Sequence, residues 1–449
     1  FTGAPAGTQV TTSNIATALG SGRLAANTRF LFKGGDTFNI PSSINIGVSG
    51  VTFGAWGTGK PTITHTDGYG ALNLQASVTD IIAMDLSLDA VTDGPGGNTP
   101  WKKLFTVTGE NRENLLLLRV DTHKNCSMLD TGFTDGVFIV DCNANTLTGG
   151  TGNVGIYAEV CSRVAVLGSR IYDAIGIEHC LRMQGSERVV ISNNDLALPA
   201  NSKHVLTIRG RSMLPLGGAA DTWSGVWAEK MVISENNLTS RAGATWTVQF
   251  APESPYSFEK IRDIIFERNL IDGNGSTADC LVTEAISGVM IRNNLIKVSG
   301  AYAIFNVTYR NEHVLDAPTD TKIYNNTIYR DTAGSPSYVN VIFLQKDAGT
   351  PTGNIPTGTV YKNNLVAGLT LSNAYISVTN CGATTDVGYS STEAQITGTA
   401  PGFTVPPVTL ANWKATSGYS INGGTYVPVF DDFNGAARTG TYDMGAVNP

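Results

Sequence analysis

Two histidines fall at matching places in the middle of the chain, and each is followed a few residues on by an arginine: His179 with Arg182, then His204 with Arg209. The histidines are 25 residues apart (204 − 179) and each opens a short stretch of alternating apolar and polar residues. Arginine presents a planar fork of donors that grips a carboxylate with two hydrogen bonds. Imidazole exchanges a proton near neutral pH. Lys203 precedes His204, and Tyr157, Glu159 and Gln184 stand at related places. This set suits β-elimination beside a uronic acid. That reaction needs the carboxylate neutralised, the C5 proton taken and the leaving oxygen protonated. Arg182 or Arg209 would hold the carboxylate, His204, His179 or Lys203 would act as base or acid, and Tyr157 is a further proton donor. Trp246, and Trp223 with Trp227 in an insertion near 211–230, would offer faces on which sugars stack.

The elements that would position these residues repeat. Residues 154–171 and 179–196 align without gaps at an offset of 25, and 204–210 continue the match to 179–185. Ile156, Leu181 and Leu206 then form one inward column, and Ala158, Met183 and Ile208 a second. Strand side chains alternate, so two outward columns follow: Tyr157, Arg182, Thr207 and Glu159, Gln184, Arg209. Gln249 and Ala251, then Val282 and Glu284, extend them. His179, His204, Trp246 and Asp279 make a column just before these strands.

The repeat is fixed by six asparagines, Asn194, Asn236, Asn269, Asn294, Asn326 and Asn364, each flanked by short β-prone runs such as Val-Ile-Ser-Asn-Asn-Asp-Leu at 190–196. Their gaps are 42, 33, 25, 32 and 38 residues by subtraction. The shortest is one coil of a β-solenoid, and the longer ones are coils with loop insertions. Asparagine tolerates the left-handed backbone of a sharp bend. Stacked coils would also let its amide bond to its equivalents above and below. The fold class expected is all-β, a single-stranded right-handed parallel β-helix. Residues 1–29 form an N-terminal cap with a helix over Ser13–Leu19 stopped by Gly20. Residues 30–370 form the helix proper, and 371–449 hold irregular final coils and a closing segment, one structural domain in all.

From about Phe30 to about Val366 the pattern resembles the pectate-lyase-like superfamily of right-handed parallel β-helix proteins. That superfamily holds polysaccharide lyases, glycoside hydrolases, epimerases and phage tailspikes, so the resemblance implies a fold and leaves the activity open. It also implies that the strand carrying Arg182, Gln184, Thr207 and Arg209 belongs to the sheet bearing the substrate groove. The piece His204-Val205-Leu206-Thr207-Ile208-Arg209-Gly210 is similar to the strand with the catalytic arginine in alginate and chondroitin lyases of this kind. The lysine expected on the preceding coil is absent, its place falling near Arg182 or Gln184. Calcium accompanies several of these families, and Glu159 with Glu178 is the best pair for it here, although Asp-rich calcium loops are missing.

Other readings use the same face. A glycoside hydrolase would pair two carboxylates among Glu159, Glu178, Asp221, Glu253, Asp279 and Glu284. A binding or structural module such as a tailspike or adhesin needs neither set, and the polar columns would then be a solvated face. Their mixed character points to a monomer.

Composition narrows the class. Charged residues make up 15% of the chain and glycine 50 of 449 positions, as expected for short strands and turns. Net charge is −7, with no basic tract, which argues against a nucleic-acid partner. No apolar run reaches the roughly 18 residues of a membrane span. The chain opens on Phe1, in keeping with a secreted bacterial protein, extracellular or periplasmic, freed of its signal peptide, or with a trimmed chain. Its six cysteines lack metal-binding spacing. They read as buried thiols, or as disulfides between coils, with Cys126–Cys142 and Cys161–Cys180 the first pairs to test.

Overall fold

The computed structural model describes residues 9–20, 22–65, 70–90, 102–107, 110–123, 126–145, 154–172, 179–199, 203–211, 226–243, 246–252, 259–273, 280–284, 286–299, 303–309, 318–330, 340–346, 356–367, 376–379, 409–413, 426–439 and 445–447. The chain divides into two compact units, Phe1–Arg182 and Met183–Pro449. Each is built from coils of three short strands, and each strand pairs in parallel with its counterpart on the next coil, making three parallel sheets. In the first unit sheet 1 begins at Arg29–Lys33 and ends at Ser162–Leu167, sheet 2 runs from Thr37–Ile40 to Arg170–Tyr172, and sheet 3 from Ile44–Ile46 to Ile156–Glu159. In the second unit sheet 1 runs from Glu187–Ser192 to Val360–Lys362, sheet 2 from Asp195–Ala197 to Leu365–Ala367, and sheet 3 from Leu206–Arg209 to Ile376–Thr379. This is the parallel β-helix expected from the repeat.

The core follows from alternation. In sheet 1 of the first unit, Ile81, Leu115, Val137 and Val164 stack in register, as do Ala83, Leu117, Ile139 and Val166, all at 2% exposure or less. In the second unit Ile191, Ile233, Phe266, Ile291 and Ile323 do the same. Each fully buried aliphatic side chain contributes about 1.5–3 kcal/mol. Like residues stacked on like waste little volume, which is why the same apolar positions recur coil after coil.

The asparagine ladder is present, and its geometry corrects one expectation. From Asn194 to Asn364 each Nδ2 donates to the Oδ1 of the next asparagine at 2.8–3.1 Å, and each backbone N–H along the first five donates to that same oxygen at 2.9–3.0 Å. From Asn236 onward the other amide hydrogen goes to a main-chain carbonyl of the preceding coil, for example Ile233 from Asn269. The left-handed residue, however, is the one before each ladder asparagine: Asn193, Glu235, Arg268, Asn293, Asn325 and Asn363, with φ between 52 and 60°. The ladder asparagine is chosen for its amide, and the bend falls on its neighbour.

The N-terminal helix spans Ile15–Leu19, shorter than expected. Asn14 caps it by accepting from Thr17 N at 3.3 Å, and Ser13 O accepts from Asn39 N on the first sheet 2 strand. The closing segment lies along the ladder turns of the second unit. Asp431 pairs with Arg268 at 2.8 Å and Asn293 donates to its carbonyl, Asn325 donates to Gly445 O, and Gly445 N donates to Asn363 O. It thus touches the left-handed residue of four successive coils. Val427 and Val429 cover Tyr324, while Ala446, Val447 and Trp413 cover Leu295, Tyr329 and Leu365. Cys142, Cys161, Cys180 and Cys280 are buried thiols, so neither disulfide forms; the structure around Cys381 and the side chain of Cys126 lie outside the described residues.

Candidate functional site

The outward columns of sheet 3 meet different surroundings in the two units. In the first, Leu129 pairs in register with Ile156, Asp130 with Tyr157, and Gly132 with Glu159. Asp130, Tyr157, Glu159 and Arg182 are all half-buried. The Arg182 guanidinium sits 5.4 Å from the centre of the Tyr157 ring, a cation–π contact on a partly wetted sheet. Beside it lies a cavity of about 300 Å³ lined by Glu110, Arg112, Asp130, Thr131, Gly132, Phe133 and Glu159. Arg112 is 3% exposed, and its Nη2 donates to Gly132 O at 2.6 Å. Burial pushes its pKa below the usual arginine value, against the pull of Glu110. His179 is 2% exposed, its carbonyl accepting from Gly155 N.

In the second unit the register expected from the asparagine spacing is present: Leu206, Val248, Leu281 and Phe305 align, and Thr207, Gln249, Val282 and Asn306 align beside them. His204 donates to or accepts from Thr207 Oγ1 through Nδ1 at 2.9 Å and stacks on Trp246 with centroids 5.0 Å apart, as their shared column implies. The expectation of an accessible face fails here. Thr207, Gln249, Glu284, Gln184, His204 and Arg209 are all buried, Arg209 at 9%. The strand Leu206–Arg209 is therefore buried on both faces, whereas a solvated sheet would alternate. Lys203 is half-buried.

The four residues read as one catalytic patch are thus divided between units, His179 and Arg182 in the first, His204 and Arg209 in the second. Trp227 opens the sheet 1 strand Trp227–Ser234, so it does not stand in an insertion. Arg262 and Lys260 lie over its ring at 4.3 and 5.5 Å. Trp223, Glu178, Asp221, Glu253 and Asp279 lie outside the described residues. Among the described residues no group of three or more His, Cys, Asp or Glu could hold a metal ion, and Glu178 of the pair read for calcium lies outside them. No helix among them is long and apolar enough to cross a membrane.

Sequence reading missed Glu110, Arg112, Asp130 and Phe133. A signal was available. Asp130 and Tyr157, 27 residues apart (157 − 130), both stand second in an alternating stretch, Leu129-Asp130-Thr131 and Ile156-Tyr157-Ala158.

No protein-family model and no curated protein matches the chain. Among solved structures it is similar to the tailspike protein of E. coli bacteriophage HK620 in complex with a pentasaccharide, with a TM-score of 0.52 at 9% identity over 79% of this chain and 72% of that one. It is also similar to the A-module of the Azotobacter vinelandii mannuronan C-5 epimerase AlgE4, with a TM-score of 0.45 at 15% identity over 83% and 90%. The fold is that of the right-handed parallel β-helix proteins. At these identities the likeness extends to fold, and no individual family is identified.

Proposed function

We propose that the chain is a polysaccharide lyase, cleaving a uronic-acid-containing polymer by β-elimination on the outer face of sheet 3 in the first unit. The observation that carries this reading is the Arg182–Tyr157 pair, two half-buried side chains on the neighbouring strands Leu181–Gln184 and Ile156–Glu159, beside a cavity. Arg182 neutralises the uronate carboxylate, which acidifies the C5 proton. Tyr157 takes that proton as phenolate and returns it to the departing O4 as phenol. The C5–H and C4–O4 bonds break and a C4=C5 double bond forms. His179, His204 and Arg209, buried as they are, support strands without touching the polymer. Incubation with a panel of acidic polysaccharides tests this. New ultraviolet absorbance of unsaturated uronate, with matching reducing ends, is the expected result; reducing ends without absorbance would refute elimination.

The cavity favours a second reading, glycoside hydrolysis by Asp130 and Glu159, which both line it. Their places are diagonal on neighbouring strands, about 7–8 Å apart at the backbone. A carboxyl separation near that value suits an inverting mechanism, in which one acid protonates the leaving oxygen and the other activates water. An exported chain follows from either reading, because such polymers lie outside the cell.

A further inference from the structure

Most outward cations of sheet 1 in the second unit are answered by carboxylates. Arg268 engages Glu235, Glu267 and Asp431 through its three side-chain nitrogens. Arg292 meets Glu267 through Nε at 2.7 Å and Nη2 at 2.6 Å. Lys322 pairs with Asp320 and donates to Gly358 O at 3.1 Å. The corner at Trp227 differs. Trp227 pairs in register with Lys260, and Glu229 with Arg262, so both cations reach the indole from one strand, Lys260–Glu267. Glu229 is divided between two cations: Oε1 accepts from Lys230 Nζ and Oε2 from Arg262 Nε. Asp263 Oδ2 stands 3.6 Å from that same Nε, beyond hydrogen-bonding reach. Among the described residues neither Nη of Arg262 nor the Lys260 ammonium has a hydrogen-bond acceptor, and Lys260 has no ion pair. Trp227, Lys260 and Arg262 are half-buried, so these donors remain within reach of solvent.

We propose that Trp227, Lys260 and Arg262 form a second binding site for the uronate carboxylates of an acidic polysaccharide, on a different sheet and in a different unit from the Arg182–Tyr157 pair. The choice of polymer rests on the polysaccharide reading above; the anion follows from the charges. Two cations gathered on one ring repel each other, and an anion between them relieves that repulsion. Lys260 and Arg262 stand two places apart on one strand, about 7 Å at the backbone, so their side chains can share one carboxylate. The two Nη groups of Arg262 present the flat fork that matches its two oxygens, and Lys260 adds a point charge. The Trp227 ring holds both cations in place before the ligand arrives. The site holds the polymer and takes no part in its cleavage.

The test uses the full chain carrying Arg182→Ala, which silences the proposed cleavage and removes its uronate contact. Calorimetry at neutral pH and low salt measures binding to polygalacturonate and to the same polymer with its carboxylates methyl-esterified. The acidic polymer should bind, and the ester at least about tenfold more weakly. Adding Lys260→Gln should weaken binding of the acidic polymer about tenfold. Arg262→Lys, which keeps the charge and loses the fork, should weaken it about threefold. Lys322→Gln removes an equal charge from the same sheet where a carboxylate already answers it, and should change affinity less than about twofold. Circular dichroism and denaturant midpoints check that each variant folds. Affinity unchanged by Lys260→Gln and Arg262→Lys, or lowered as much by Lys322→Gln, overturns the site, as does no binding by the Arg182→Ala chain. Cleavage by the wild-type chain is scored separately. No unsaturated uronate from any acidic polysaccharide, with Lys260-dependent binding intact, overturns the lyase reading and leaves this site standing.

Discussion

The two units solve the same bend with different chemistry. After each sheet 1 strand of the second unit the turn column is asparagine, six coils running, with its amide hydrogen bonds closed from coil to coil. In the first unit the column reads Leu86, Val120, Cys142 and Ser169, following left-handed Asp85, Arg119, Asp141 and Gly168. There Val120 N reaches Cys142 Sγ at 3.4 Å, and Cys142 N reaches Ser169 Oγ at 3.1 Å. The backbone geometry of the bend is therefore common to both, and the ladder is an addition to it. The outward face of sheet 3 differs in the same sense. It is half-buried and charged in the first unit, and buried on both sides along Leu206–Arg209 in the second. On the proposed reading the more tightly closed unit is scaffold, and the looser one carries the site.

The sharpest way to break this comparison is Asn269→Ala. It removes the oxygen that accepts from both Asn236 N and Asn236 Nδ2, leaving buried donors unpaired. A loss of about 2–4 kcal/mol is expected from the shift of the denaturant midpoint. Arg182→Ala, in the open unit, should instead leave the midpoint near the wild type and lower turnover about 10²–10³-fold, measured as initial rates of unsaturated uronate.

An alkaline titration tests the burial of two thiols in the first unit. Burial pushes Cys142 up to about 11 and Cys161 up to about 12, both in the first unit. Between the free-thiol value, about 8.5, and these values the unfolded chain has lost protons that the folded chain keeps. Stability should be flat below that window and fall as pH rises through it, by up to about 1.4 kcal/mol per thiol per pH unit. Denaturation midpoints followed across the window check this, and Cys161→Ala should flatten the decline. Cys142→Asn asks whether the ladder can be extended. With the bend already left-handed, an Asn oxygen should accept from Val120 N and change stability by no more than about 1 kcal/mol. Asp85→Asn is the mildest change. Hydrogen bonds from Arg119 hold the Asp85 carboxyl below its usual pKa, a gain present at neutral pH and lost on acidification. Because the pair is exposed, its removal should cost under about 1 kcal/mol by the same assay.

Much of the fold was legible because the ladder asparagines mark every coil of the second unit, and their spacing carried Thr207, Gln249 and Val282 into one register. The left-handed position was misjudged by one residue, since Glu235 and Arg268 occupy it as readily as asparagine once the coil enforces the bend. The site was harder. Alternation showed that Thr207 and Arg209 point away from the core, but burial of that side is a tertiary property which no period in the sequence reports. Arg112 opens an ordinary-looking strand, Arg-Glu-Asn-Leu-Leu-Leu-Leu, and acquires meaning only where Gly132 and Glu159 come round beside it.

The Arg182–Tyr157 face is proposed to eliminate across a uronate linkage. Its most direct test is mass analysis of the products released from an acidic polysaccharide, made in ¹⁸O-labelled water with wild type and Tyr157→Phe side by side. Elimination predicts oligosaccharides ending in an unsaturated uronate, with no ¹⁸O gained from cleavage after correction for exchange at the reducing end, and loss of product with the phenylalanine variant. Saturated ends carrying ¹⁸O, formed equally well by Tyr157→Phe, would contradict it and move the chemistry to Asp130 and Glu159.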